Sequence, residues 1–126
     1  MAVFFICAGL IGVLAVLLTL NVGRMRTTKK ISLGDGGDPE MTAAIRAHGN
    51  LLEFAPLCLL IIWLLHGPYG HRTIAVMGII LLAVRVLHAG GILGLIPLGR
   101  VLGATGTTIL LTVASIMLAL AGLRTL

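Results

Sequence analysis

Three polar side chains lie at helical spacing within an otherwise apolar stretch of the sequence. Arg46, Asn50 and Glu53 stand at positions i, i+4 and i+7, so on a helix they share one face. His48 points away from that face by more than a third of a turn. A guanidinium, an amide and a carboxylate on one helical face are suited to binding a small anionic or zwitterionic ligand.

A second pair of ionisable residues lies in a later apolar run. Arg85 and His88 stand at i and i+3 and share a helical face. Ionisable groups inside such runs are costly and usually functional. The sequence has no His-x-x-x-His pair and no cysteine cluster, so these histidines do not predict a metal site.

The composition indicates a membrane protein. Of the 126 residues, 59% are hydrophobic and only 10% are charged, too few to cover a soluble domain. The net charge of +5 does not indicate a nucleic-acid partner, because the basic residues lie beside or within apolar runs. Cys7 and Cys58 lie in apolar helix and are interpreted as buried small side chains without a disulfide.

Four apolar runs are long enough to cross the bilayer, which needs about 20 residues. They predict an all-α bundle of four transmembrane helices in a single domain, residues 1–126, with helices at about 3–26, 39–66, 72–94 and 100–123. Asp38 is predicted to cap the second helix, with Pro39 at its first position. A tight turn is predicted at 67–70, and residues 95–99 are predicted to end the third helix.

Basic residues predict the orientation and, with it, the depth of the polar groups. The first loop contains Arg24, Arg26, Lys29 and Lys30 and is therefore predicted to be cytoplasmic, which places both termini outside. All four helices then bring polar groups to the cytoplasmic half of the bilayer. The result is a cationic pocket with one carboxylate, open toward the cytoplasmic leaflet.

Each of these residues also has an interpretation without a ligand. Glu53 and Arg85 could form a buried structural ion pair. Asn50 could join helices through a hydrogen bond. Arg24 and Arg26 could be plain cytoplasmic anchors.

Residues 46–56, Arg-Ala-His-Gly-Asn-Leu-Leu-Glu-Phe-Ala-Pro, resemble the signature of the MAPEG superfamily of membrane-associated proteins in eicosanoid and glutathione metabolism. That signature is Arg-x-His/Gln-x-Asn-x-x-Glu, commonly followed by an aromatic residue and a proline, on the second of four helices. The resemblance extends to Arg85-x-x-His88 with Gly91 and to Arg100 at the start of the fourth helix. It covers essentially the whole chain.

The resemblance implies a homotrimer that binds glutathione as co-substrate between adjacent subunits, on the cytoplasmic side. The residues that it assigns to glutathione binding are Arg46, Asn50, Glu53, Phe54, Arg85 and His88, with His48 and Arg24 or Arg26 contributed by the neighbouring subunit. Arg100 resembles the arginine that stabilises the glutathione thiolate. A nearby cation favours the thiolate of a thiol whose pKa is near ~8.5, and arginine acts there only through its charge.

The predicted function is therefore a glutathione S-transferase or peroxidase that acts on lipophilic electrophiles, in a bacterial inner membrane. Relatives that make leukotrienes have tyrosines where this chain has Phe54, His88 and Ile92, so an eicosanoid substrate is not expected. Two alternatives remain open: a small transporter or channel, and a protein of the same fold without catalytic activity.

Overall fold

The computed structural model of the protein describes residues 1–125 and consists of four helices. They are α1 (Ala2–Lys29), α2 (Pro39–Leu64), α3 (His66–Ile92) and α4 (Gly99–Leu123). All four are long and apolar enough to cross a membrane, so the predicted all-α class with four spans is confirmed. Helix α1 extends three residues beyond its predicted end because Lys29 and the preceding turn remain helical.

The start of α2 is held by the side chains predicted for it. Asp38 accepts a hydrogen bond from the backbone N–H of Met41 at 2.8 Å, and Pro39 occupies the first helical position. Lys29, at the end of α1, donates to Asp38 at 2.6 Å and to Glu40 at 2.7 Å. The hydrogen bond from Lys29, followed by that from Met41, holds the pKa of Asp38 below its usual range. The first loop therefore joins α1 and α2 closely.

The predicted tight turn at 67–70 is wrong. Helix α2 ends at Leu64, a single residue follows, and His66 already begins α3. Pro68 is compatible with a first helical turn because its missing N–H would have no partner there. The helix is instead interrupted at Gly70, whose φ of 78° and ψ of 177° are not helical and change the direction of the chain.

Helices α2 and α3 form the centre of the bundle. Helix α3 contacts each of the other three helices, α2 contacts α1 and α4, and α1 does not touch α4 within residues 1–125. The arrangement leaves separate outer faces on the two sides of α4. One lies between α2 and α4, and the other between α3 and α4.

The two ends of the bundle differ in chemistry. At one end Trp63 stacks on the rings of Phe4 and His66, with centroids 5.9 and 5.8 Å apart. Tyr69 donates a hydrogen bond to the carbonyl of Met117 at this same end, which we call the aromatic end. The opposite end, which we call the polar end, contains the first loop, the end of α3 and the start of α4.

Glycines bring α4 against α3 near the polar end. A Cβ on Gly103 would lie 2.5 Å from the backbone N of His88, and one on Gly99 would lie 2.5 Å from the carbonyl of Leu87. A Cβ on Gly91 would collide with the backbone N of Arg100. The sequence Gly99-x-x-x-Gly103 is thus a close packing face, as small residues at this spacing often are in membranes.

This packing predicts that Gly103→Ala destabilises the bundle. The added methyl group would meet backbone atoms of α3, which cannot move without separating the two helices. We expect a loss of about 1–3 kcal/mol of unfolding free energy, measured as a lower midpoint of thermal unfolding in mild detergent. Gly122→Ala is the matched control on the same helix, since nothing lies within 4 Å of its added carbon. Equal midpoints for the two variants would contradict the close approach.

Candidate functional site

A cavity of about 410 Å³ opens between α2 and α4 near the polar end, with α3 as its floor. We call it the site cavity. Its polar lining consists of Thr42, Arg46 and Asn50 from α2, His88 from α3 and Arg100 from α4. Four of the residues singled out in the sequence therefore meet at one space, although they come from three helices.

The floor of the site cavity is organised by Arg85, of which only 1% is exposed. One terminal nitrogen, Nη2, donates to Oδ1 of Asn50 at 2.7 Å and to Nδ1 of His88 at 2.8 Å. The other, Nη1, donates to Oγ1 of Thr107 at 3.3 Å. One guanidinium thus connects α2, α3 and α4.

These contacts fix the protonation of His88. A guanidinium has no acceptor, so Nδ1 of His88 must accept from Arg85. The imidazole is then neutral, with its proton on Nε2. Because His88 also lines the site cavity, this Nε2–H is a donor available to a bound anion or carbonyl.

The charge of Arg85 is not neutralised by a carboxylate. The three salt bridges within residues 1–125 involve Lys29, which forms two of them, and Arg46. The Nε of Arg85 is buried and has no hydrogen-bond partner among the described residues. A second, small cavity of about 70 Å³ adjoins this guanidinium, walled by Phe54, whose ring centroid lies 6.0 Å from its central carbon. The site is therefore strongly electropositive.

The single carboxylate of the predicted site lies outside the site cavity. Glu53 pairs with Arg46 on the same helix at 3.7 Å, and the two side chains are 51% and 60% exposed. The alternative of a buried Glu53–Arg85 ion pair is not what the structure shows, because Asn50 occupies that position against Arg85. Glu53 lies near the middle of α2, where an exposed charge would otherwise face lipid.

The remaining predicted residues lie on other surfaces of the protomer. His48 faces α1, with its Nε2 3.0 Å from Oγ1 of Thr19. Arg24 lines a neighbouring cavity of about 540 Å³ that shares Pro39, Ala43 and Ile92 with the site cavity. Arg26 donates to the carbonyls of Gly34 and Ile31 and so shapes the first loop. Within one protomer, none of these three side chains lines the site cavity.

One member of the cluster was missed in the sequence. Thr107 is buried on α4, accepts from Arg85 and donates to the carbonyl of Gly103 at 2.7 Å. Threonine is common in membrane helices, and its neighbour Thr108 makes a similar bond to the carbonyl of Ala104 while being exposed. Only the packing of α4 on α3 distinguishes these two threonines.

Among residues 1–125, no three His, Cys, Asp or Glu side chains form a group that could hold a metal ion.

Four helices able to span a membrane, with a basic cavity at one end, define a small multi-pass membrane protein. The MAPEG family model matches residues 4–120, and the chain belongs to that family. It is 36% identical over 90 residues to the inner membrane protein YecN of Escherichia coli strain K12, an alignment that spans 67% of this chain and 68% of the relative. The protein of the same name from a second strain of that species is equally similar.

Because Arg85 depends on a hydroxyl from α4, Thr107→Val should destabilise the protein. The substitution keeps the shape of the side chain but leaves a buried guanidinium N–H without its acceptor, a loss of about 1–3 kcal/mol. Thr108→Val, one position along the same helix, removes an exposed hydroxyl and should change stability by less than about 0.5 kcal/mol. Denaturant unfolding of the two purified proteins measures the difference; a Thr107→Val protein as stable as Thr108→Val would exclude the proposed contact.

Proposed function

We propose that this protein binds glutathione in the site cavity and conjugates it, through its sulfur, to lipophilic electrophiles or uses it to reduce them. The observation that carries the proposal is the site cavity, which is lined by Arg46 and Arg100 and by no carboxylate of residues 1–125. A third guanidinium, that of Arg85, holds two of its lining residues, Asn50 and His88. Glutathione has two carboxylates and, when reactive, a thiolate. A site with excess positive charge in a membrane is suited to such an anion.

The roles of individual residues follow from their positions. Arg46 has a long, half-exposed side chain at the wall of the cavity and would bind a ligand carboxylate. Asn50 and His88 are held by Arg85, so their orientation is set before a ligand arrives. Glu53, beside Arg46, would meet the ligand ammonium group at the edge of the site.

Arg100 is the residue proposed to act on the thiol. It lies at the second position of α4, is exposed to the cavity and has no carboxylate partner among residues 1–125. A free cation beside the thiol favours the thiolate, whose sulfur would bond to an electrophilic carbon as the leaving group departs with its electron pair. For a peroxide, the sulfur would attack one oxygen while the O–O bond breaks and its electron pair leaves on the other oxygen, which is protonated to an alcohol. A second glutathione would then convert the resulting sulfenic acid to the disulfide and water. Either substrate would enter from the lipid.

The exposed Arg46–Glu53 pair also supports a homotrimer. Side chains that are 60% and 51% exposed near the middle of a membrane helix would meet hydrocarbon in an isolated protomer. A neighbouring subunit packed on the α2 face would cover them. It would also place His48 and Arg24, which face away from the site cavity of their own protomer, where the cavity of another subunit can receive them.

The assembly has a direct test. Native mass spectrometry of the full chain released from mild detergent should show mainly trimer, because the α2 face is charged and needs a protein partner within the bilayer. A spectrum dominated by monomer or dimer would remove the proposed intersubunit contributions of His48 and Arg24, while leaving the site cavity of the protomer intact.

The catalytic proposal is tested by separating binding from thiol activation. Arg46→Ala should weaken glutathione binding by about 1.5–3 kcal/mol, since it loses a charge-assisted hydrogen bond, as calorimetry of the purified protein would record. Arg100→Leu should keep much of the affinity at a pH where bound thiol is protonated, yet show less thiolate absorbance near neutral pH and slower conjugation of an aromatic electrophile. Arg100→Lys should be intermediate, because it keeps the charge without the planar fork.

Two results would contradict this assignment. An unchanged thiolate titration and an unchanged rate in Arg100→Leu would exclude Arg100 as the activating residue. Absence of glutathione binding by the unsubstituted protein would exclude the ligand itself. Proton-coupled uptake into vesicles would instead favour a transporter, although a carboxylate beside the guanidinium of Arg46 is poorly suited to cycles of proton binding and release.

We further infer an inner-membrane location, which the similarity to the Escherichia coli inner membrane protein supports. The basic first loop supports external termini and a site cavity that opens toward the cytoplasmic leaflet.

A further inference from the structure

A second, largely apolar space lies on the other side of α4. It is a groove of about 620 Å³ between α3 and α4, which we call the α3–α4 groove. Val76 and Ile80 of α3 and Ile109 and Val113 of α4 form its walls, and each of the four is more than two-fifths exposed. None of the residues assigned to the proposed glutathione site lines it.

A single cation stands at one end of this groove. Arg72 lines it, is exposed, and takes part in none of the three salt bridges found within residues 1–125. It lies two residues after the break at Gly70, and therefore at the aromatic end of the bundle. The neighbouring hydroxyl of Thr73 donates to the carbonyl of Tyr69, so its proton is already used within the helix.

The dimensions of the groove match one leaflet. From Arg72 to Ile80 along α3 is eight residues, or about 12 Å at 1.5 Å per residue. Half of a hydrocarbon core of about 30 Å is about 15 Å. On α4 the deepest lining residue is Gly106, which packs against Val84 of α3. The groove thus begins at a charge near the membrane surface and reaches about the middle of the bilayer, as an acyl chain of one leaflet does.

A second copy of the chain fits this surface less well. An apolar helix packed into the groove would leave Arg72, at its end, without an anionic partner. A phosphate group supplies that partner, and its attached chain supplies the apolar contact.

We propose that the α3–α4 groove is a binding site for an anionic phospholipid of the leaflet at the aromatic end. The phosphate binds the guanidinium of Arg72, and one acyl chain lies along Val76 and Ile80 against Ile109 and Val113. The site is separate from the glutathione site and does not depend on it. It would attach an annular lipid to the pair of helices that positions Arg100 and His88.

The test is native mass spectrometry of the full chain in mild detergent, titrated with phosphatidylglycerol or phosphatidylcholine. The unsubstituted protein should retain phosphatidylglycerol in preference to phosphatidylcholine. Arg72→Gln should weaken retention of phosphatidylglycerol about fivefold, the equivalent of one basic residue at a membrane surface. Arg72→Lys should keep most of it, and Val76→Trp, which fills the groove from an exposed position, should reduce retention of both lipids.

Arg124→Gln is the matched control. Arg124 is an exposed arginine just after α4, at the same end of the bundle, and does not line the groove. Its substitution should leave the lipid preference unchanged. Equal losses in Arg72→Gln and Arg124→Gln, or unchanged retention in Val76→Trp, would overturn the site. A change of subunit number in Val76→Trp without a change in lipid retention would show that another copy of the chain occupies the groove, and would overturn it as well.

Discussion

A buried arginine without a carboxylate partner is the constraint on which the rest of this bundle depends. Arg85 lies within apolar helices, where an isolated charge is costly, and its two terminal nitrogens donate to an amide, an imidazole and a hydroxyl from three helices. These neutral acceptors hold the guanidinium in place but leave its charge unbalanced. The same group that joins the helices therefore also makes the adjoining cavities favourable for an anion.

The close approach of α3 and α4 makes this arrangement possible. Gly91 and Gly103 remove the side chains that would otherwise separate the two helices, so that Thr107 reaches Arg85 and Arg100 reaches the cavity beside His88. Hydrophobic association contributes little between helices already in lipid, and close packing together with interhelical hydrogen bonds replaces it. The residues that hold α3 against α4 are therefore also residues of the proposed site, and a substitution of Arg85 would affect both the packing and that site.

The two outer faces beside α4 differ in polarity: one is charged and the other is largely apolar. The face toward α2 presents Arg46 and Glu53, charges that call for protein or ligand as a neighbour. The face toward α3 presents aliphatic side chains with Arg72 at one end, a surface that suits lipid. The proposed assembly would place another subunit against the first face and lipid against the second, so that the charged pair is covered and the aliphatic side chains meet hydrocarbon.

The helices of this protein were predictable from its sequence because the bilayer restricts the secondary structures that can cross it. Apolar runs of sufficient length can only be helices, so the four spans followed from composition, and the spacing of Arg46, Asn50 and Glu53 followed from helical periodicity. The cap at Asp38 was predictable for the same local reason. The motif on α2 also identified the family, which the match over residues 4–120 confirms.

Contacts between helices were decided only by the tertiary structure. The sequence placed Glu53 and Arg85 at similar depth and allowed an ion pair, but the rotation of α2 against α3 puts Asn50 at Arg85 and leaves Glu53 with Arg46. Nothing in the sequence separates buried Thr107 from exposed Thr108, and the helical turn before Gly70 resembled a loop in composition. Periodicity fixes the face on which a residue lies, whereas its partner depends on how two helices are rotated and how closely they approach. The rotation and the closeness of two helices depend on the shapes of side chains from both of them, and no single segment of the sequence contains both.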